Sequence, residues 1–151
     1  NVEKNLVRSL SRQHEVPERI TRYLVAKYGY EANKILNLTQ KEKPLKYPLV
    51  EGKPIIKAQV IYAVVHEQAG SLKDIFANRL GLEHTDWRAT YDALPLAAHL
   101  VAEFFDWTEE EEQDAIQDYR DELLRMRKES TGLGVFPPRT PRPQHPFRKN
   151  R

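Results

Sequence analysis

Few residues in this chain combine the types and spacing that chemistry needs. The nearest approach to a dyad is His66-Glu67, an imidazole beside a carboxylate. Neighbouring residues on a helix point about 100° apart, so the two cannot readily serve one reacting atom. His84 with Asp86, and His99 with Glu103 at helical i,i+4 spacing, offer two metal donors apiece. A divalent metal wants three or four clustered donors, so both read as surface pairs. The run Glu109 to Glu112 lacks the alternating oxygen ligands and central glycine of a calcium loop. Serine, histidine and aspartate are all present, but no GxSxG context marks a nucleophile. Neither GxGxxG nor GxxxxGKS/T occurs, so the usual glycine-rich cradle for a phosphate is missing. The chain has no cysteine, which removes thiolate chemistry, thiolate metal sites and disulfides together. These residues predict no catalytic, cofactor-binding or metal site.

One stretch does have the make-up of a binding element. Residues 130–151 hold five of the ten prolines, the cations Arg139, Arg142, Arg148, Lys149 and Arg151, and the isolated aromatics Phe136 and Phe147. Proline keeps such a segment extended, arginine offers charge-assisted hydrogen bonds, and phenylalanine anchors in pockets. The expected partners are an acidic groove on another protein subunit or the phosphate backbone of RNA. Five tail cations and no tail acid mean that a net charge of +2 leaves the rest of the chain at −3. An acidic body argues against a nucleic-acid surface on the folded part.

The elements that would carry these residues read as helices. Ile20, Tyr23, Leu24 and Tyr28 recur at helical spacing after Pro17, and Gly29 stops the run. A short helix over 31–38 follows, then a proline-rich extended connector over 40–54. Residues 55–65 fit a strand or a helix by local pattern; the length of the run, continuing to Gln68 before Gly70, favours helix. Ser71 is placed to cap the next helix, with Asp74 in its first turn and Gly81 in a left-handed stop. Thr85 or Asp86 can cap the segment carrying Trp87, Tyr91 and Leu94, which Pro95 either kinks or divides. Thr108 and Glu111 form a capping box ahead of the stripe Ile116, Tyr119, Leu123 and Met126. The expected fold is all-α: an orthogonal bundle of about five to six helices with an extended Pro/Arg-rich tail. Its expected parts are an N-terminal extension over 1–15, a helical domain over 16–129 and the tail over 130–151. No apolar run approaches the ~20 residues of a membrane span. The lack of a methionine at Asn1 suggests further sequence upstream, and Glu3 and Glu15 interrupt any targeting-peptide character.

Taken as a unit, Val60-x-Tyr62-Ala63-Val64-x-x-Glu67-x-Ala69-x-Ser71-x-x-Asp74 followed by Arg79 resembles the C-terminal helical domain of FAD-dependent glycerol-3-phosphate dehydrogenases and the related α-glycerophosphate oxidases. Tyr23-Leu24 to Tyr28-Gly29, Ala93-Leu94-Pro95 and Trp107-Thr108 resemble its flanking segments, so the likeness covers about residues 14–128. Tyr62, Glu67, Ser71, Asp74 and Arg79 then stand as motif residues with a structural role. The departures are Gln59 for the family's glutamate, and Asn78-Arg79-Leu80-Gly81 for its Arg-Arg-Thr-Arg/Lys run. The family's flavin- and substrate-binding domain lies upstream of this region, so the resemblance transfers no flavin chemistry to any residue here.

The resemblance implies a non-catalytic accessory subunit of a mitochondrial assembly, a respiratory-chain complex first and a mitochondrial ribosome second. The alternative is the C-terminal portion of an active flavoenzyme whose catalytic part is separate. An RNA contact through the tail is a third expectation, from a different class.

Overall fold

Side-chain caps open three of the helices in this protein. The computed structural model describes residues 1–131. Seven α-helices follow one another there: α1 (Val2–His14), α2 (Glu18–Tyr28), α3 (Ala32–Lys41), α4 (Lys57–Val65), α5 (Leu82–Thr85), α6 (Trp87–Val101) and α7 (Glu109–Thr131). Two 3-10 turns, Gly29–Glu31 and Lys43–Lys46, and a π-helical turn, Asp74–Arg79, complete the order. The described residues contain no strand, only an isolated antiparallel bridge between Pro48 and Ile56. The fold is all-α, and none of its described helices is long and apolar enough to cross a membrane.

The capping box at α7 forms as its sequence predicts: Glu111 N–H donates to Thr108 Oγ1 at 3.1 Å and Thr108 N–H to Glu111 Oε1 at 3.2 Å. Asp86 rather than Thr85 caps α6, accepting from Ala89 N–H at 2.9 Å. Thr85 instead donates back to the Gly81 carbonyl at 3.2 Å. Pro95 sits inside one continuous helix, α6.

The buried side chains form two clusters. Val7, Leu10, Ile20, Leu24, Ile35 and Leu36 fill the first, between α1, α2 and α3. Ile75, Phe76, Leu82, Leu94, Val101 and Leu123 fill the second, between the π-turn, α5, α6 and α7. Helix α4 belongs to both, giving Ala58, Ile61 and Tyr62, with its N-cap residue Ile56, to one and Val60 and Ala63 to the other. That explains the ambiguous pattern of residues 55–65. A helix buried on nearly every side loses its amphipathic period, and β-branched residues are tolerated because packing outweighs propensity. Val65 ends this helix, and Ile56 pairs with Pro48 instead of extending it.

The segment set apart as an N-terminal extension forms α1 and packs into the first cluster. Val7, Leu10 and His14 are buried along its inner face. His14 is held at both ring nitrogens, Nε2 to Asn33 Oδ1 at 3.2 Å and Nδ1 to Gln40 Nε2 at 3.0 Å. Ser11 donates to Thr21 Oγ1 at 2.8 Å, tying α1 to α2. The connector over 40–54 is likewise part of the core: Leu45, Leu49 and Val50 are each 5% exposed.

Substituting Leu10→Ala is expected to cost about 2–5 kcal/mol, the range for a buried leucine. Urea unfolding followed by helical circular dichroism measures it. A loss under about 0.5 kcal/mol would show that α1 is peripheral to the fold.

Candidate functional site

The motif residues divide between two places. Tyr62 lies at the seam between α4 and the first cluster. Its hydroxyl donates to Glu31 Oε2 at 3.1 Å, its ring meets Tyr28 edge-on at 5.6 Å, and His66 stacks on it at 5.0 Å. Beneath it lies Gln59, a side chain with no exposure at all. Gln59 Oε1 accepts from Ile56 N–H at 2.9 Å, and its Nε2 donates to the Tyr28 hydroxyl at 3.1 Å. This is half a capping box: Gln59 reaches back to the N-cap residue, but the Ile56 side chain has no acceptor to return the bond. Burial pushes the Tyr28 hydroxyl well above the usual phenol range, with Gln59 opposing and the Glu67 charge reinforcing. Burial likewise raises Tyr62, helped by its bond to Glu31, and raises Tyr23 against a bond from Gln59. The arrangement keeps these phenols protonated, which is the opposite of what a tyrosine base needs.

Ser71, Asp74 and Arg79 form the second group. Ser71 Oγ accepts from Asp74 N–H at 3.0 Å, and Asp74 Oδ2 accepts from Gly70 N–H at 3.2 Å. Asn78 donates to Asp74 Oδ1 at 2.7 Å, and Arg79 approaches Oδ2 at 3.8 Å. The Asn78 amide holds the Asp74 carboxyl below the usual carboxylate range, with the Gly70 N–H and Arg79 adding to it. The Ser71 cap forms as the sequence predicts, but the helix it opens is π-wound over Asp74–Arg79, with Leu80 N–H bonded to the Ile75 carbonyl at 2.8 Å.

The departures from the family run all have work inside this turn. Asn78 ligates Asp74, Leu80 is 4% exposed, and Gly81 adopts φ 69° to open α5. Gly81 is one of the positions where a left-handed backbone calls for glycine.

A third constellation escaped the sequence entirely. Glu83, 2% exposed, accepts from the Tyr119 hydroxyl at 2.8 Å. Burial and the bond to Glu83 drive Tyr119 far above the ordinary phenol range. Lys73 pairs with Glu122 one turn further along α7, which raises the ammonium. Arg120 donates twice to the Tyr91 carbonyl, at 3.1 and 3.0 Å, with its guanidinium 4.4 Å from the ring centre. Three polar contacts thus latch α7 onto the π-turn, α5 and α6. No local signal announces them, because their partners lie 29 to 49 residues apart.

The expected His-acid pairs are rearranged. His99 Nδ1 faces Glu112 Oε1 at 3.4 Å rather than Glu103, and His84 Nε2 lies 3.9 Å from Glu83 Oε2 rather than beside Asp86. Among the described residues no group of three or more metal-ligating side chains converges. Phe136, Arg139, Arg142, Phe147, Arg148, Lys149 and Arg151 lie outside the described residues.

Two surface cavities open between α1 and α2, with volumes of about 470 and 330 Å³. None of the motif residues lines either. The usual dinucleotide cradle is a strand–turn–helix with a glycine-rich loop, and the described residues contain neither that strand nor that loop.

The family described as the C-terminal domain of alpha-glycerophosphate oxidase matches residues 1–112. The match begins at the start of α1, earlier than the motif likeness. A protein of Dictyostelium discoideum described as a probable mitochondrial glycerol-3-phosphate dehydrogenase is 30% identical over 117 residues, 78% of this chain and 18% of its own length. A glycerol-3-phosphate dehydrogenase of Synechocystis is 30% identical over 99 residues, 66% of this chain and again 18% of the relative. The chain therefore spans under a fifth of the length of these relatives. No solved structure gives a significant match.

Two measurements test the internal role of these groups. Because Asp74 is depressed in the folded state, its contribution is present above the unfolded carboxylate value near ~3.9 and is lost as pH falls through the lower folded value. Asp74→Asn is expected to cost about 0.5–1 kcal/mol at pH 7, and its deficit should vanish in acid. A deficit independent of pH would contradict the charge argument. Tyr119→Phe should cost about 1–3 kcal/mol, because it strands a buried carboxylate without its donor. In a Glu83→Met background the same change should cost much less; equal costs in both backgrounds would rule out the pair.

Proposed function

The chain belongs to the family of the C-terminal domain of alpha-glycerophosphate oxidase, and from that membership we propose that it is the non-catalytic helical domain of a glycerol-3-phosphate-oxidising flavoprotein. The observation that carries this reading is the use of the motif residues. Tyr62 bonds to Glu31, Ser71 accepts from the Asp74 backbone and Asp74 from the Gly70 backbone, and none of the three lines either cavity between α1 and α2. The scaffold of the family is kept, and a scaffold is what the chain contributes. The oxidation itself falls to a flavin-binding unit that adjoins it.

That unit stands either on the same polypeptide, as the 18% coverage of both relatives favours, or on a separate subunit to which this domain is accessory. In both cases the reducing equivalents pass through the flavin unit, and this domain supplies packing and docking surface. The mitochondrial relative supports a mitochondrial setting, and a respiratory-chain complex is the host we favour.

Isolation of the native protein under mild conditions is expected to yield bound flavin, seen by its absorbance near ~450 nm, together with oxidation of glycerol 3-phosphate by an artificial electron acceptor. Peptide mapping then tells one polypeptide from two. A native preparation with neither flavin nor activity, or a lone 17.7 kDa monomer, overturns the proposal.

A further inference from the structure

Helix α7 begins at an aromatic corner whose surroundings are acidic. Phe104 stands 52% exposed there, beside Phe105 and Trp107, whose rings lie 4.9 Å apart and pack on the second cluster. Glu103, Asp106 and Glu109, its neighbours in sequence, are all exposed. From this corner an acidic track runs down the outer side of α7. Glu110, Asp114, Asp118 and Asp121 recur every three or four residues, so they share one face, and all four are exposed. None of them forms an ion pair among the described residues, and Asp121 accepts the Gln117 amide at 2.8 Å. Like charges at this spacing repel, so the helix gains from cations laid along it.

An exposed phenylalanine at the head of an acidic track suits an occupant carrying both cations and an aromatic anchor. A second copy of the same face would set acid against acid. Residues 132–151 have the required composition, with five cations, no acid, Phe136 and Phe147. They follow α7 directly, and Gly132 and Gly134 come first, where a reversal of the chain needs backbone freedom. Their length also fits. At ~1.5 Å per helical residue, Glu110 lies ~32 Å back from Thr131. An extended proline-rich segment advances ~3.1 Å per residue, which puts Arg139 ~25 Å, Arg142 ~34 Å and Phe147 ~50 Å along it. Both arginines therefore come alongside the acidic track, with enough length left for Phe147 to reach the corner. Tethering holds the segment near α7 at about millimolar effective concentration, which favours this face over one on another chain.

We infer that residues 132–151 fold back along α7 of the same chain, with Arg139 and Arg142 on the acidic track and Phe147 against Phe104. The segment is then an internal strap, and the acidic groove it answers to is the domain's own. Outside partners meet α7 with its charge already matched and its aromatic corner covered. The inference goes beyond the function proposed above and holds whichever polypeptide bears the flavin.

The chain has no cysteine, so Gln113→Cys and Gln144→Cys give two unique sites for nitroxide labels on the full chain. Electron–electron distance measurements are expected to show a narrow population within ~25 Å at low salt, from the lengths above. It should broaden and lengthen as salt rises from about 0.05 M to about 1 M, where screening acts within ~3 Å. Asp114→Lys with Asp118→Lys should cut the narrow population roughly tenfold, and adding Arg139→Glu with Arg142→Glu should restore it. The two α7 positions are exposed, so the core is untouched, and helical circular dichroism checks this. A broad distribution that ignores salt overturns the inference, as does a charge swap that restores nothing. Loss of the narrow population on dilution with excess unlabelled chain would reveal a contact between copies and also overturns it. Displacement by micromolar polyuridine at about 0.1 M salt would assign the segment to RNA, with the same consequence.

Discussion

A short helix buried over most of its length must find its polar partners inside the protein, and α4 is such a helix. Residues 57–63 are all buried. Leaving a buried amide or backbone N–H unpaired costs on the order of 1–3 kcal/mol, so each needs an answer in its neighbours. Lys57 N–H is answered by the Tyr47 carbonyl at 3.0 Å, and Ile56 N–H by Gln59 Oε1. Gln59 then needs a partner for its amide nitrogen and finds the Tyr28 hydroxyl. The bridge from Pro48 to Ile56, the placement of α2 and the packing of both clusters follow from this set of obligations.

The same logic explains how the helix leaves the core. His66 and Glu67 N–H groups both return to the Tyr62 carbonyl, and Ala69 N–H reaches back to Ala63 at 2.9 Å. The chain turns at Gln68, whose φ is 56°. A non-glycine residue in that region costs roughly 1 kcal/mol, which the returned hydrogen bonds offset. Gly70, two residues on, was the natural sequence reading for this stop. Glu15 and Asp106 turn the chain in the same way at φ 54°, and neither is a residue type that announces a left-handed turn as strongly as glycine does.

These cases show what was legible and what was not. Caps depend on residues three or four apart, so Ser71, Thr108 and the left-handed Gly81 could be read directly. The period of exposed-face helices such as α7 could be read for the same reason. Helix α1 could not, because its inner face is only Val7, Leu10 and His14, and a buried histidine looks polar on paper. The winding of Asp74–Arg79 could not either, since an i to i+5 pattern leaves the stripe Leu72, Ile75, Phe76 and Leu80 looking α-helical. The Glu83–Tyr119 bond joins residues 36 positions apart and became visible only when the chain was folded.

The motif residues also show why a family likeness can outlast a change in the surface it once served. Within Asn78-Arg79-Leu80-Gly81, the side chain of Asn78 bonds Asp74, Leu80 completes the second cluster, and Gly81 supplies the backbone turn. The family's threonine at position 80 would place a hydroxyl in an apolar cluster, which costs stability unless it finds a hydrogen-bond partner. A β-carbon at position 81 would strain the turn even though it meets no neighbour within 4 Å. The run is therefore held in part by the packing of the π-turn against α5.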